Sequence, residues 1–242
     1  MTLFLQDLRR GVRALRSWPA VVTVAAGLGS AIAIFSVVNA TLLGRLPFPE
    51  AGRLVMVWDQ LLKLGINQLP TTHKTYLDYQ AASGHLFEAL AAYTSSDQNL
   101  TPNPERVAVM YASPSLLPLL GLPALAPGSV LVTRPVAARS GASLTLDGAV
   151  HAIAGTLPAA FEFRAGMPAS PDVVAPLEID ADRGGLRMLA RLRPGVSLEQ
   201  ARAGMRGIAA RLDREQRLYR GPKGEDAGYN ILVLPLQEQL YG

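Results

Sequence analysis

The stretch PAVVTVAAGLGSAIAIFSVVNATLL, residues 19–43, decides how the chain is organised, and it contains no Asp, Glu, Lys, Arg or His. As an α-helix it would extend roughly 37 Å, which exceeds the ~30 Å hydrocarbon core of a bilayer. A helix pairs its backbone groups internally, and this one has no charge to desolvate. The alternative is a buried core helix, but core helices rarely run this long without a polar face. We therefore predict a transmembrane helix over residues 18–44.

The residues before this stretch predict a short amphipathic helix, residues 1–17, that lies in the membrane interface. Apolar side chains recur at helical spacing on one face. Basic side chains collect on the other face: Arg9, Arg10, Arg13 and Arg16. Four arginines against one aspartate predict a cytoplasmic N-terminus by the positive-inside rule. The residues after the span are then expected outside the membrane, in the periplasm of a cell with two membranes.

A cleaved signal peptide is the competing interpretation, with residues 38–40 (VNA) as a loose cleavage site. The apolar part of a signal peptide is usually about 7–15 residues long, shorter than this run, so a retained anchor is favoured. Within the span, Ala25, Gly29 and Ala33 form a strip of small side chains. Such a strip either lets a neighbouring transmembrane helix approach closely or arises by chance in an alanine-rich sequence.

The composition of the 242-residue chain excludes several classes of site. There is no cysteine, so disulfides, thiolate nucleophiles and cysteine metal sites are impossible. The net charge is +4, but the arginines are scattered among acidic residues rather than gathered in one block. This distribution argues against nucleic acid as a partner.

Beyond the span, the pattern predicts an α+β domain over residues 45–242. Alternation and apolar runs predict strands over residues 54–58, 106–112, 172–177, 186–192 and 229–234. Thr72 can cap a helix over residues 72–83, and residues 86–93 fit either a helix or a strand. The Asn and Pro content predicts a loop over residues 99–104.

Two further patterns specify the local topology. An Asp-Gly pair at the centre of residues 144–153 predicts a β-hairpin with a tight turn. Ser197 and Gln200 have the spacing of a capping box at the start of a helix. An apolar stripe continues from there at helical spacing: Leu198, Ala201, Met205, Ile208, Leu212 and Tyr219. Residues 186–234 therefore form a strand–helix–strand, or βαβ-like, unit that is long enough for a right-handed crossover.

No motif for catalysis, cofactor binding or metal binding stands out. The sequence has no phosphate-binding GxxxxGK[ST] loop and no GxSxG elbow. His73, His85 and His151 lack the short spacing of a helical metal site and are expected to be ordinary surface or half-buried residues. No pair of carboxylates is marked as an acid–base dyad. We predict no catalytic, cofactor-binding or metal-binding residues, no cofactor and no enzymatic activity.

Several segments, taken in this order along the chain, resemble one family of membrane proteins. They are residues 34–40 (IFSVVNA), 46–50 (LPFPE), 87–93 (FEALAAY), 144–148 (LTLDG), 190–201 (ARLRPGVSLEQA) and 233–240 (VLPLQEQL). The series is similar to the first span and the following domain of MacB/FtsX-type ABC transporter permeases, in the branch of duplicated permeases abundant in Acidobacteria.

This resemblance implies a fold and a function. It implies a MacB-like periplasmic core domain over residues 45–242, with βαβ units, on one N-terminal transmembrane helix. It also implies an inner-membrane permease subunit that hydrolyses nothing itself. A separate cytoplasmic ATPase would cycle, and the spans would relay its movement to the periplasmic domain (mechanotransmission) or use it for export. The implied partners are the lipid bilayer, the remaining permease spans, that ABC ATPase subunit and, as an option, another permease copy.

The sequence also departs from the family pattern. The chain stops about where the family turns toward its second span, so we expect the N-terminal part of such a permease. Residues 128–143 are compressed where the family has a further strand and helix, which leaves open whether this lobe is complete. The span is shorter than usual before Gly27. The alternative function is a stand-alone single-pass membrane protein whose ectodomain binds a partner or ligand.

Overall fold

The structure is a computed structural model that describes residues 46–101, 105–146, 148–159, 161–178, 185–220 and 224–241. The predicted interfacial helix (residues 1–17) and the predicted transmembrane helix (residues 18–44) lie outside these ranges. Within the ranges described, none of the helices combines the length and the apolar character needed to cross a membrane.

The described ranges contain ten strands and five α-helices. The strands are β1 (Leu54–Leu61), β2 (Ile66–Leu69), β3 (Phe87–Thr101), β4 (Glu105–Ala112), β5 (Ser129–Val132), β6 (Ser143–Leu146), β7 (Ala149–Thr156), β8 (Val173–Pro176), β9 (Arg187–Leu192) and β10 (Tyr229–Pro235). The helices are α1 (His73–Ala82), α2 (Leu116–Leu119), α3 (Arg134–Ser140), α4 (Leu198–Gln216) and α5 (Leu236–Tyr241).

These strands form one sheet in the order β10-β1-β9-β3-β4-β8-β5-β7-β6, with β2 paired to β1. Strand β6 also pairs with β3, where Leu100 lies opposite Leu146 and Thr101 opposite Thr145. Strands β3, β4, β8, β5, β7 and β6 therefore close on themselves, and we call them the six-stranded ring. Strand β3 is shared between this ring and the open part of the sheet, because its first half pairs with β9.

The predicted strand–helix–strand unit is present in a split form. Strands β9 and β10 both run antiparallel to β1, so they are parallel to each other with β1 between them. Helix α4 connects them and begins with the predicted capping box. In this box the Ser197 hydroxyl oxygen accepts a hydrogen bond from the Gln200 backbone N–H, and the Gln200 side-chain oxygen accepts one from the Ser197 backbone N–H. The predicted cap of α1 is also confirmed, since the Thr72 side chain accepts from the Thr75 N–H. The sequence indicated the unit but not the strand inserted into it.

The open part of the sheet is covered on both faces. On one face, Leu54 and Trp58 of β1 pack into a core with α2 and α5. The segment after β7 adds Leu157, Phe163, Ala165 and Met167 to this core. On the other face, Val55 and Val57 pack with α1 and α4. Strand β1 is consequently buried along its whole length, which makes it the central strand of this part of the domain.

The six-stranded ring encloses its own small core. Its members are the inward-facing aliphatic side chains of the ring strands and one residue of α3: Leu100, Val107, Val109, Val130, Val132, Val136, Leu144, Leu146, Val173 and Ala175. Residues 128–143, for which the sequence left the completeness of the lobe open, contain strand β5 and helix α3. Val130, Val132 and Val136 are fully buried, so this region contributes to the ring core. The four residues of β5 pair with β7 on one side and β8 on the other, which is enough to close the ring.

Two local predictions need correction. The loop predicted over residues 99–104 is strand through Thr101, because Leu100 is buried in the ring and the backbone pairs with β4 and β6. The apolar stripe of α4 ends before Tyr219, because Arg217 adopts a left-handed conformation (φ 50°) and terminates the helix. The predicted hairpin is confirmed: β6 and β7 pair antiparallel, and Gly148 has the positive φ (87°) that a tight turn requires.

Candidate functional site

The first and last strands of the described domain are direct neighbours. β1 and β10 pair antiparallel from Val55 opposite Pro235 to Leu61 opposite Tyr229. Helix α5 follows β10 at once and returns to β1, where Trp58 Nε1 donates a 2.9 Å hydrogen bond to the side-chain oxygen of Gln239. The segments that precede β1 and follow β10 therefore attach to the domain at one end of the same strand pair.

A buried carboxylate lies in the middle of this region. Asp59 of β1 has no exposed surface, and three tyrosine hydroxyls donate hydrogen bonds to it. Tyr79 reaches Oδ1 at 2.8 Å, Tyr229 reaches Oδ1 at 3.1 Å and Tyr219 reaches Oδ2 at 3.1 Å. The hydroxyls of Tyr79 and Tyr229 also contact each other. We call these four residues the Asp59 cluster.

Each member of the Asp59 cluster comes from a different element. Strand alternation directs Asp59 to the face that α1 and α4 cover, and α1 supplies Tyr79. Tyr229 begins β10. Tyr219 lies after α4 and has a left-handed backbone (φ 52°), as does Arg217 (φ 50°). Such conformations cost non-glycine residues free energy and persist where surrounding contacts hold them, and the hydrogen bond and ring contact of Tyr219 supply such contacts here.

Burial controls the protonation of this cluster. It raises the pKa of Asp59 to about 6, and the side-chain hydroxyls of Thr71, Tyr229 and Tyr219 oppose that shift only in part. Burial and the neighbouring Asp59 charge raise the pKa of Tyr219 and of Tyr229. Both phenols therefore stay protonated and remain donors at neutral pH. The cluster can take up or release one proton in the mildly acidic range, and it joins β1, β10, α1 and the segment after α4.

The histidines singled out in the sequence do not come together. His73 opens α1 and is 2% exposed, which corrects the prediction of a surface or half-buried residue; its ring lies edge-on to Tyr76. His85 is exposed between α1 and β3, and His151 is half-buried in β7. Among the residues that the structure describes, no three His, Asp or Glu side chains are grouped as a metal site would need.

The Asp59 cluster was not predicted from the sequence. The available signal was one acidic residue inside an otherwise apolar strand, since Asp59 follows LVMVW directly. A buried acid needs donors, but two of the three that serve Asp59 lie 160 and 170 positions away in sequence. No local pattern identifies tyrosines at that distance.

Comparison with known proteins gives one family and a set of related folds. The model of the family described as MacB-like periplasmic core domain matches residues 17–208. A domain of a putative permease protein from Porphyromonas gingivalis has a TM-score of 0.52 at 16% identity, covering 78% of this chain and 92% of that one. The periplasmic region of MacB from Actinobacillus actinomycetemcomitans has a TM-score of 0.51 at 9% identity, covering 79% and 92%. At these identities the likeness shows the fold alone. A search of curated proteins returns no match.

Proposed function

The chain belongs to the MacB-like periplasmic core domain family, and from this premise we propose that it is a membrane-anchored subunit of an ABC transporter permease. In this proposal residues 1–17 lie on the cytoplasmic membrane face, residues 18–44 span the inner membrane, and the domain from residue 45 onward is periplasmic. Its partners are the lipid bilayer, the remaining permease spans, a separate ABC ATPase and, where the permease is duplicated, another permease copy.

The pairing of β1 with β10 carries the proposal. A domain that relays movement from membrane segments needs its two connections close together and rigidly attached to its core. β1 follows the proposed span and is buried on both faces, and β10 and α5 are bonded to it directly. Movement of either connection would therefore act on the central strand, which supports mechanotransmission rather than passive tethering.

Cysteine labelling tests the membrane topology. The natural chain has no cysteine. In variants with a single cysteine at Thr2, Val150 or Val109, all maleimide labelling of the chain therefore comes from the introduced residue. Val150 is 72% exposed and Val109 is fully buried. In spheroplasts, a membrane-impermeant maleimide should label the Val150→Cys variant, label the Thr2→Cys variant only after lysis, and leave the Val109→Cys variant unlabelled until urea is added. Labelling of Thr2→Cys in intact spheroplasts would contradict the proposed orientation.

Association with an ATPase tests the partner. A P-loop ATPase should co-purify with the tagged chain from membranes of its native host, and vanadate should inhibit ATP hydrolysis by that ATPase. A lysine-to-alanine change in the phosphate-binding loop of that ATPase should abolish the hydrolysis without releasing the tagged chain. Purification without any ATPase, from membranes in which the chain is correctly inserted, would reject a role as a permease subunit.

The second candidate is a stand-alone single-pass protein whose ectodomain binds a ligand. A cavity of about 520 Å³ at one end of the six-stranded ring favours it. The genomic neighbourhood separates the two functions. An adjacent P-loop ATPase gene and a following reading frame with several spans fit the permease, and an isolated gene fits the alternative.

A further inference from the structure

The cavity at the end of the six-stranded ring has a defined wall. It lies where β4, β6 and β8 end and where β5 and β7 begin. Its lining includes Tyr111, Leu125, Pro127, Gly128, Leu146, His151 and Ala175. Its volume of about 520 Å³ falls within the roughly 300–1,000 Å³ typical of small-molecule sites. Closed sheets of few strands fill their interiors with side chains, so a cavity of this size at one end is a space that the fold leaves open.

The inner wall of the cavity is continuous with the apolar core of the ring. Leu146 and Ala175 belong both to the cavity lining and to the ring core. They are 3% and 1% exposed, so the apolar wall is fixed by the packing that closes the ring. An apolar ligand would displace water from this surface, and that is the main source of binding free energy in such sites.

Two lining residues carry buried polar atoms without a hydrogen-bond partner. These atoms are Gln98 Oε1 and His151 Nδ1. The amide nitrogen of Gln98 donates to Ser96 Oγ at 3.0 Å, which leaves its oxygen as an unused acceptor. Buried polar atoms are nearly always paired in folded proteins, because an unpaired one loses its hydration without compensation. A ligand that donates a hydrogen bond here would supply the missing partner.

The charge of the lining selects against anions. Among the lining residues that the structure describes, Glu178 at the exposed rim is the charged one, and neither Lys nor Arg is present. An anionic ligand would meet this carboxylate and an acceptor oxygen with no lysine or arginine to balance its charge.

We propose that this end of the six-stranded ring is a binding site for a small, largely apolar molecule, neutral or cationic, that carries an O–H or N–H donor. The apolar wall holds the body of the molecule, and its donor pairs with Gln98 Oε1. His151 Nδ1 lies in the same lining. Depending on its tautomer, it accepts a hydrogen bond from a second donor on the ligand or donates one to a ligand acceptor. This site goes beyond the proposed transport role and does not depend on it.

Three benzophenones of similar size test the chemistry on the full chain in detergent. 4-(Hydroxymethyl)benzophenone has the O–H donor, 4-methylbenzophenone lacks it, and 4-benzoylbenzoate is an anion. Ultraviolet light attaches each probe to nearby C–H bonds, and mass spectrometry of the peptides locates the attachment. We expect saturable labelling of peptides from β7, β8 or residues 125–128 by the hydroxymethyl probe. The methyl probe should reach half-saturation at a concentration about three- to tenfold higher than the hydroxymethyl probe, because it lacks one hydrogen bond. The carboxylate probe should not label these peptides saturably.

Matched variants separate this site from general hydrophobic labelling. Ala149→Phe fills the cavity from β7, whereas Val150→Phe adds the same ring to the adjacent residue, which is 72% exposed. Labelling should fall at least tenfold in the first variant and stay unchanged in the second. Gln98→Met removes the acceptor and keeps the side-chain length, so it should bring the half-saturation concentrations of the hydroxymethyl and methyl probes to within twofold.

The proposal is overturned if the two neutral probes label the wild-type chain equally, or if labelling at the ring end persists in Ala149→Phe. Labelling confined to other peptides would overturn it as well. If Ala149→Phe does not fold, as shown by loss of its near-UV circular dichroism, the Gln98→Met comparison decides. None of these outcomes affects the topology experiment, so failure of this site is distinguishable from failure of the proposed function.

Discussion

The hydroxyl of Tyr79 donates a 2.8 Å hydrogen bond to Oδ1 of Asp59, and this bond fastens helix α1 to the central strand of the domain. The same carboxylate accepts from Tyr229, the first residue of β10. β10 is the strand that pairs with β1 over seven register positions. One buried acid thus connects the first helix, the first strand and the last strand of the domain, and its protonation should affect how firmly they hold together.

The Asp59 charge should make stability depend on pH. Burial raises the pKa of Asp59 from 3.8 to about 6 in the folded state, so between these values the folded chain holds a proton that the unfolded chain has released. The free energy of unfolding should therefore fall as pH rises from about 4 to about 6, by about 2–3 kcal/mol from this group, and change little from this cause above that range.

Urea denaturation followed by tryptophan fluorescence measures this effect. Asp59→Asn keeps a hydrogen-bond acceptor and cannot ionise, so the difference in unfolding free energy between wild type and variant isolates the one group from other titrating residues. We expect that difference to shift in favour of the variant by about 2–3 kcal/mol between pH 4 and pH 7. A difference that stays constant across this range would show that Asp59 titrates normally.

Removing the Tyr79 hydroxyl should cost more than removing that of its neighbour on the helix. Tyr79→Phe takes one donor from a buried carboxylate, a loss of about 1.5–3 kcal/mol above pH 6 that shrinks when Asp59 is protonated. Tyr76 donates to the neutral carbonyl of Leu90 at 3.3 Å, so Tyr76→Phe should cost about 0.5–1.5 kcal/mol at every pH. Equal losses with equal pH dependence would contradict the assigned role of the Tyr79 hydroxyl.

Features with a local cause were predictable from the sequence. The Thr72 cap, the capping box of Ser197 and Gln200, and the tight turn at Gly148 each depend on residues within a few positions of one another. The family resemblance identified the domain, and the family match supports that identification.

Features that depend on distant pairing were not predictable. The end of β3 looks like a loop because Asn and Thr flank Leu100, yet Leu100 becomes strand when Leu146 pairs beside it and closes the ring. The cavity and the Asp59 cluster arise from the same kind of long-range contact. These features are stabilised by burial and by strand pairing across the sheet rather than by local secondary-structure propensity.

Two glycines in α4 should respond oppositely to alanine. A Cβ on Gly207 would meet no atom within 4 Å, whereas a Cβ on Gly204 would lie 2.6 Å from Cδ1 of Leu86. Gly207→Ala should stabilise the domain by about 1 kcal/mol through helix propensity. In Gly204→Ala the same gain is outweighed by overpacking against the buried Leu86, which typically costs about 1–3 kcal/mol. Urea midpoints measure both, and a stabilised Gly204→Ala would show that α4 and Leu86 can move apart freely.

Gly166, which lies against β1, should tolerate alanine poorly. It has φ +66°, and a Cβ there would lie 2.7 Å from the indole ring of Trp58, which is rigid and buried. Gly185 also has a positive φ (+83°) but no atom within 4 Å of its Cβ position. Gly185→Ala therefore measures the backbone cost alone, about 1 kcal/mol.

Gly166→Ala should cost about 1–3 kcal/mol more than Gly185→Ala, because the indole must move as well. That movement would break the hydrogen bond from Trp58 to Gln239, which holds α5 on β1. In a Trp18→Phe background, where Trp58 is the remaining tryptophan, Gly166→Ala should shift the fluorescence emission to longer wavelength and Gly185→Ala should not. Identical stability losses and unchanged emission in both variants would mean that Trp58 does not contact residue 166 in solution.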